Sequence, residues 1–312
     1  MQSSELYHKK VHAAKFSIIS NSALIGLKVL VGILTLSVSI LAEAIHSGID
    51  LIAALIANYS VKTSGKPADD KHQFGHGKVE DISALIEGML ILFAAYLILH
   101  EAYSRIIEGV KLSHVGVGVF IMLISSFSNW YISKYLFKIS KETDSSALEA
   151  DAWHLRTDVY TSIGVFLGLS VIALNELFGG PLWIKYLDPL IAAATAVIII
   201  KAGWDISRDA VFNLADIKLS ESDEENIRKA IEENSEHYVE FHKLRTRRSG
   251  MFKYIDLHLV VYKHMHIDTA HKFTHHLIAD IKSKIPNTDI MIQLEPCKSR
   301  CRGCHIDCRK HR

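Results

Sequence analysis

Ala42-Glu43-Ala44-Ile45-His46-Ser47-Gly48-Ile49-Asp50 decides how this chain is read, because its pattern returns at Ala150-Asp151-Ala152-Trp153-His154-Leu155-Arg156-Thr157-Asp158. Both copies follow Ala-acid-Ala-x-His-x-x-x-Asp, and both sit at or inside a hydrophobic run. Residues i and i+4 of a helix lie one above the other, so each copy points an imidazole and a carboxylate the same way. Two such helices, face to face, offer two nitrogens and two oxygens to one ion.

The surroundings of the two copies are apolar. Of the 312 residues 49% are hydrophobic, and the formal net charge is +1, which gives no electrostatic case for a nucleic-acid partner. Long apolar runs dominate from about Ala13 to about Ser207, whereas Arg208 to Arg312 is charged and reads as soluble. A bilayer core of roughly 30 Å needs about 20 helical residues. Six stretches qualify: Phe16–Leu36, Ser39–Val61, Ile82–Tyr103, Val115–Leu136, Leu148–Leu169 (or on to Glu176) and Leu187–Ser207. The expected organisation is a six-helix transmembrane domain over residues 1–208, a soluble domain over 209–296 and a Cys-rich extension over 297–312.

Lys and Arg collect on one side of these spans. Lys9, Lys10 and Lys15 precede the first; Lys62, Lys66, Lys71 and Lys78 follow the second; Lys138 and Lys141 follow the fourth. The alternate connections carry only Arg105 with Lys111, then Lys185. The richer side is expected to be cytoplasmic, which puts both termini and the soluble domain inside a multi-pass cell (inner) membrane protein. The first ten residues are polar and no cleavable signal pattern follows, so the first span is expected to act as its own insertion signal.

With six spans, the second and fifth run in opposite directions. Packed side by side they bring His46 level with Asp158 and Asp50 level with His154. Zn²⁺ favours a tetrahedral set of nitrogen and oxygen ligands of this kind. Each ionisable group at the membrane centre costs about 2.5–3.5 kcal/mol, so four together mark a site or pathway. Four protein ligands leave no position for a catalytic water, and no His-Glu-x-x-His or nucleophile elbow is present, so transport is expected and enzymatic chemistry is not. Glu43 and Asp151 precede each His by three residues and fall toward opposite mouths of the path, where they would attract cations. Asp151 also suits the first turn of a helix. Arg156 points off the ligand stripe and is expected to pair with an acid, with Glu87 the candidate.

Six helices, His-x3-Asp on the second and fifth, and an αββαβ tail resemble the cation diffusion facilitators. The loop Pro67-Ala68-Asp69-Asp70-Lys71-His72-Gln73-Phe74-Gly75-His76-Gly77-Lys78 looks like that family's signature loop, and Leu244-Arg245-Thr246-Arg247-Arg248-Ser249-Gly250 adds to the likeness. The resemblance runs from about Lys10 to Pro296, and takes in the bacterial ferrous-iron/zinc efflux proteins and the zinc transporters. It implies a homodimer that exports Zn²⁺ or a related ion in exchange for protons. His46 in place of a carboxylate favours Zn²⁺ over Mn²⁺, since imidazole is a borderline ligand; Fe²⁺, Co²⁺, Cd²⁺ and Ni²⁺ stay open. A membrane-bound metal sensor or buffer is the alternative.

The same resemblance implies a loop site of Asp69, His72 and His76, and a tail site of His242, His258, His271 and Glu295. Gln293 stands where a further His is often found. Lys78 resembles a residue of a charge interlock between membrane and tail domains, with Asp216 its expected partner. In the tail, expected elements are a helix Glu221–Glu233 capped by Ser220 or Ser222, strands Val239–Arg247 and Tyr254–Tyr262, a helix Asp268–Lys284 and a strand Asp289–Leu294. All four cysteines, Cys297, Cys301, Cys304 and Cys308, close the chain. They suit a Zn²⁺ or Cu⁺ thiolate site better than disulfides in a cytoplasmic segment.

Overall fold

The computed structural model describes residues 2–34, 38–108, 116–178 and 187–297. Cys301, Cys304 and Cys308 lie outside the described residues, as do the side chains of Glu43 and His46. The chain forms two compact units, Met1–Val211 and Phe212–Arg312.

The first unit is built on long helices: α1 (Gln2–Leu34), α2 (Val38–Ser64), α3 (Val79–Glu108), α4 (Gly116–Thr143), α5 (Ser146–Phe178) and α6 (Leu187–Leu214), the last reaching into the second unit. Among the described residues, three helices over Glu5–Leu34, Val79–Ser104 and Pro189–Leu214 are long and apolar enough to cross a membrane. The helix α1 starts well before the expected Phe16. Its polar first turns are helical because Glu5 and Lys9 pair at i,i+4 (3.3 Å) and because Lys10 turns inward rather than to water.

Packing follows the small residues. The α1 helix lies along α2, α4 along α5, and α5 also meets α3 and α2. Ala13, Ala14, Ala147 and Ala152 let backbones approach around Val61, Leu136, Leu148 and Leu155. Between α3 and α6, Gly88 and Gly203 do the same: a Cβ on Gly203 would lie 3.1 Å from the Gly88 carbonyl oxygen. The outside of the bundle is apolar, with Ile19, Leu55, Phe93 and Phe127 exposed, while Lys10, Lys28, Asp50, Glu80, Glu87, Asp151 and His154 are buried. A polar interior under an apolar surface suits a lipid surround.

The second unit runs α7 (Glu221–Glu232), a short 3₁₀ turn, β1 (Glu240–Ser249), β2 (Phe252–Val261), α8 (Ile267–Lys284) and β3 (Thr288–Pro296). The strands form one sheet in the order β1-β2-β3, antiparallel between β1 and β2 and parallel between β2 and β3. Ser220 caps α7, its hydroxyl accepting from the Asp223 N–H. His266 caps α8, its Nδ1 accepting from the Asp268 N–H at 3.2 Å. Alternation along β2 sends Ile255, Leu257, Leu259 and Val261 into a core with Ile227 and Ile231 of α7 and Phe273, Leu277 and Ile281 of α8. Both helices therefore cover one face of the sheet, and His258 looks out from the other.

Candidate functional site

Helices α2 and α5 bring the paired motif together. The Nε2 of His154 lies 3.1 Å from Oδ1 of Asp50, and both residues are buried, at 6% and 7% exposure. Donor atoms of Asp50, His154 and Asp158 all lie within 4.8 Å of one another. Ligand bonds of about 2.0–2.1 Å place neighbouring donors of a tetrahedral ion about 3.3 Å apart. Asp50 and His154 already stand at chelating distance, and Asp158 offers a third donor within 4.8 Å of both. The contact of Asp50 with His154 is the one that antiparallel helices require. His46 lies on α2 one turn before Asp50, and its side chain is outside the described residues.

Around this cluster the polar groups come from four helices, α1, α2, α3 and α5. Asp151 is fully buried on α5. Because α5 begins at Ser146, Asp151 falls in the second turn and the first-turn acid is Glu149, so the helix-dipole reading of Asp151 does not apply. Arg156 does not pair with Glu87. Its guanidinium lies over the Phe137 ring at 5.7 Å, and Glu87 instead accepts from Ser83 one turn away at 3.3 Å. Lys28 of α1 is buried and donates to Ser47 at 2.6 Å, on the residue after His46.

One buried node escaped the sequence reading, which had placed Lys10 among the loop charges. Lys10 Nζ meets Glu80 Oε1 at 2.5 Å with both side chains fully buried. Ser64 and Ser145 also donate to the Glu80 carboxylate. The signal was available: Lys10, Ala13, Ala14, Ser17, Asn21 and Lys28 form a small or polar stripe at helical spacing along α1, and all are buried.

The loop between α2 and α3 folds on Asp69. Its Oδ1 accepts from the backbone N–H of His72 at 2.6 Å and of Lys71 at 3.0 Å, an Asx turn that holds the carboxylate in place. The His72 N–H, above all, keeps the Asp69 carboxyl below its ordinary value of 3.8. Gly75, at φ 77°, supplies the left-handed residue that turns the chain back toward His76. His72 Nδ1 then stands 3.3 Å from Asp69 Oδ1 and His76 Nε2 3.4 Å from Oδ2, so three donors converge within 4.8 Å.

In the second unit, His242, His258 and Glu295 converge on the helix-free face, also within 4.8 Å. His258 Nδ1 lies 2.6 Å from Glu295 Oε1 and His242 Nε2 3.5 Å from Oε2. The sheet register explains it: His242 pairs with His258, and Glu295 with Val260, two residues along the same face. Gln293 pairs with His258 directly. The His258 hydrogen bond is the main reason the Glu295 carboxyl sits below its ordinary 4.5. His271 is not in this group; it lies on α8, with its Nε2 3.1 Å from that of His275. Asp216, at φ 60°, meets Arg247 Nη1 at 3.4 Å, and Lys78 opens the first turn of α3, its carbonyl accepting from the Ile82 N–H. Cys297 is buried, its N–H bonded to the Val261 carbonyl.

An acid–imidazole cluster buried among apolar helices, with two further candidate clusters in a loop and in the second unit, fits the class of cation-handling membrane proteins. The family model of the cation efflux transmembrane domain matches residues 14–215, and that of the cation efflux protein, cytoplasmic domain, matches residues 219–297. The chain belongs to the cation efflux family, the cation diffusion facilitators, and is a cation efflux transporter of the membrane. It is 30% identical to the uncharacterized transporter sll1263 of Synechocystis sp., over 91% of this chain and 89% of that one. It is also 30% identical to the magnetosome protein MamB of Magnetospira sp., over 75% and 77% of the two chains. The cation-efflux pump FieF of Yersinia pestis is 28% identical over 93% and 94%.

Proposed function

We propose that this chain exports divalent metal ions, Zn²⁺ foremost, in exchange for protons. The observation that supports this most is the convergence of Asp50, His154 and Asp158 between α2 and α5. With His46 as the fourth donor, one turn from Asp50, the set is two imidazoles and two carboxylates, which fits a tetrahedral borderline ion. Two carboxylates also balance the charge of a divalent ion inside the bilayer. An imidazole must be neutral to bind metal, and a free one titrates near ~6.5, so a proton competes with the ion at each His. Protons arriving from outside expel the ion, and proton loss inside reloads the site, in an alternating-access cycle. Glu43 and the buried Asp151 draw cations along the path on either side of the site.

In this reading α1 to α6 are six spans of the inner cell membrane, with both termini cytoplasmic, over a domain of residues 1–208. Two copies pair through the soluble domain, residues 209–296. Asp69, His72 and His76 bind metal at the loop, and His242, His258 and Glu295 bind it on the sheet. The extension 297–312 is a thiolate-rich segment in which Cys297, Cys301, Cys304 and Cys308 take up metal when it is abundant. The three-donor cluster on the sheet favours one second reading, a membrane-bound sensor or buffer.

Flux into reconstituted vesicles separates the two. Asp50→Ala and Asp158→Ala are expected to abolish Zn²⁺ flux while Zn²⁺ binding to the second unit persists; unchanged flux would favour the sensor. Zn²⁺ uptake by the unaltered protein that ignores an imposed pH gradient would sink the proton coupling. Fe²⁺, Co²⁺, Cd²⁺ and Mn²⁺ in the same assay rank the ions.

A further inference from the structure

Glu87 of α3 is a fully buried acid that the His-x3-Asp motifs do not account for. The packing of α3 on α5 sets its position. Ala84 of α3 and Ala150 of α5 share one buried cluster, and further along Trp153 of α5 packs against the cluster of Ile91. Glu87 lies between Ala84 and Ile91 on the same stripe of α3, so it comes level with Asp151, which follows Ala150. The two carboxylates act on each other electrostatically, and His154 acts on both.

Both acids are left with open valences. Oε1 of Glu87 accepts from the Ser83 hydroxyl at 3.3 Å, but its Oε2 and both carboxylate oxygens of Asp151 are buried without a hydrogen-bond partner. The hydroxyl of Ser17 on α1 is directed at Asp151, and it too is fully buried and completes no hydrogen bond. Unpartnered carboxylates in a lipid-surrounded interior are costly, so a positive charge belongs between them. The buried cations around them are engaged elsewhere: Lys10 with Glu80, Lys28 with Ser47, His154 with Asp50, and Arg156 over the Phe137 ring.

We infer that Glu87 and Asp151, with the hydroxyls of Ser17 and Ser83, form a second divalent-cation site between α1, α3 and α5, beside the cluster of Asp50, His154 and Asp158. Two carboxylates balance the charge of one such ion. An all-oxygen set suits Mn²⁺ and other hard ions, and holds Zn²⁺ less tightly than a set with imidazoles. An ion there exchanges readily and can pass on to His154, one turn along α5 from Asp151. That place on the path rests on the export reading of Asp151; the binding of the ion does not.

Equilibrium dialysis of the full chain in detergent micelles against Mn²⁺ alone, with bound metal counted by mass spectrometry, tests it. The background is Asp50→Asn/Asp158→Asn, which removes the carboxylates of the neighbouring cluster, so the count is independent of whether that cluster transports. Adding Glu87→Gln should cost one ion, Asp151→Asn should cost the same ion, and both together should cost no second one. Ser17→Ala should weaken the affinity for that ion several-fold. The inference is overturned if either amide leaves the count unchanged, which would mean that the acids keep protons rather than an ion, or if the two amides together cost two ions. Both substitutions keep side-chain size, and a melting temperature without metal no lower than that of the background verifies the fold. Should one amide fail to fold, the other decides by the same count.

Discussion

Lys10 and Glu80 are a fully buried charge pair, and the two serines aimed at Glu80 add the hydrogen bonds such a pair needs. The four residues come from the start of α1, the end of α2, the start of α3 and the junction of α4 with α5, so the node ties the helix ends on one side of the bundle. Removing one member of a buried pair strands the other and costs about 3–5 kcal/mol, whereas removing both charges costs far less. Lys10→Met should therefore lower the thermal midpoint in detergent strongly, and Lys10→Met/Glu80→Gln should recover most of the loss. A double variant as unstable as the single would show that the pair is not the stabilising feature. Glu295 is a second residue-scale case, with the sign set by its lowered carboxyl. The unfolded chain takes up the proton first as pH falls, so the His258–Glu295 contribution is complete above the ordinary value of 4.5 and lost as pH falls through the lower folded value. Denaturant midpoints of the second unit, measured from about pH 6 to about pH 3, should fall more steeply for the unaltered chain than for Glu295→Gln.

At the scale of elements, β1 shows how a ligand is aimed. His242 and Arg245 are three residues apart and would face opposite sides of a regular strand. Yet His242 pairs with His258 and Arg245 with Asp256, both on the helix-free face, because a bulge inserts an extra residue between them. Lys243 takes the left-handed conformation, φ 52°, that the bulge needs. A left-handed non-glycine residue costs roughly 1–2 kcal/mol, so Lys243→Gly should raise the melting temperature slightly and keep metal binding, and Lys243→Val should lower it. Equal midpoints for the two would remove the bulge from the account. This irregularity was not legible, because the bulge uses Lys where Gly or Asn would have flagged it. The strands were legible to within a few residues, since period-two alternation is carried by many side chains at once; the helices were legible in place but not in extent, α1 beginning at Gln2 rather than Phe16 and α5 running to Phe178 rather than Leu169, because polar turns beyond an apolar run carry no such signal. The pairing of Asp50 with His154 was legible too, from the i,i+4 repeat plus the antiparallel order. The Arg156 partner was not: charge alone suggests Glu87, and periodicity does not place the Phe137 ring. Lys10 was misread because a cation near the start of a chain is counted with the loops unless the small residues spaced behind it are read as one stripe.

At the scale of the whole molecule, the division after Val211 has an energetic consequence. The second unit has its own closed core, in which α7, α8 and β2 bury Ile227, Ile231, Ile255, Leu257, Leu259, Leu277 and Ile281. A segment with its own core folds alone when few contacts are lost by cutting the linker. A fragment of residues 212–297 is thus expected to unfold in a single cooperative transition and to show mixed helix and strand by circular dichroism. An ion that binds only the folded fragment stabilises it by about 2.7 kcal/mol at a hundred times its Kd. For a domain of this size each kcal/mol shifts the midpoint by about 4–8 °C, so saturating Zn²⁺ should raise the midpoint by more than about 10 °C. The substitution His258→Ala should abolish this rise, because Glu295 and His242 then face each other without the donor that lies between them. A fragment that melts without cooperativity would mean that the second unit needs the membrane helices or a second copy to fold. A cooperative fragment whose midpoint ignores Zn²⁺ would leave the three-donor cluster as a hydrogen-bonded surface group and take the sensor reading with it, while the membrane cluster between α2 and α5 would still stand or fall on flux.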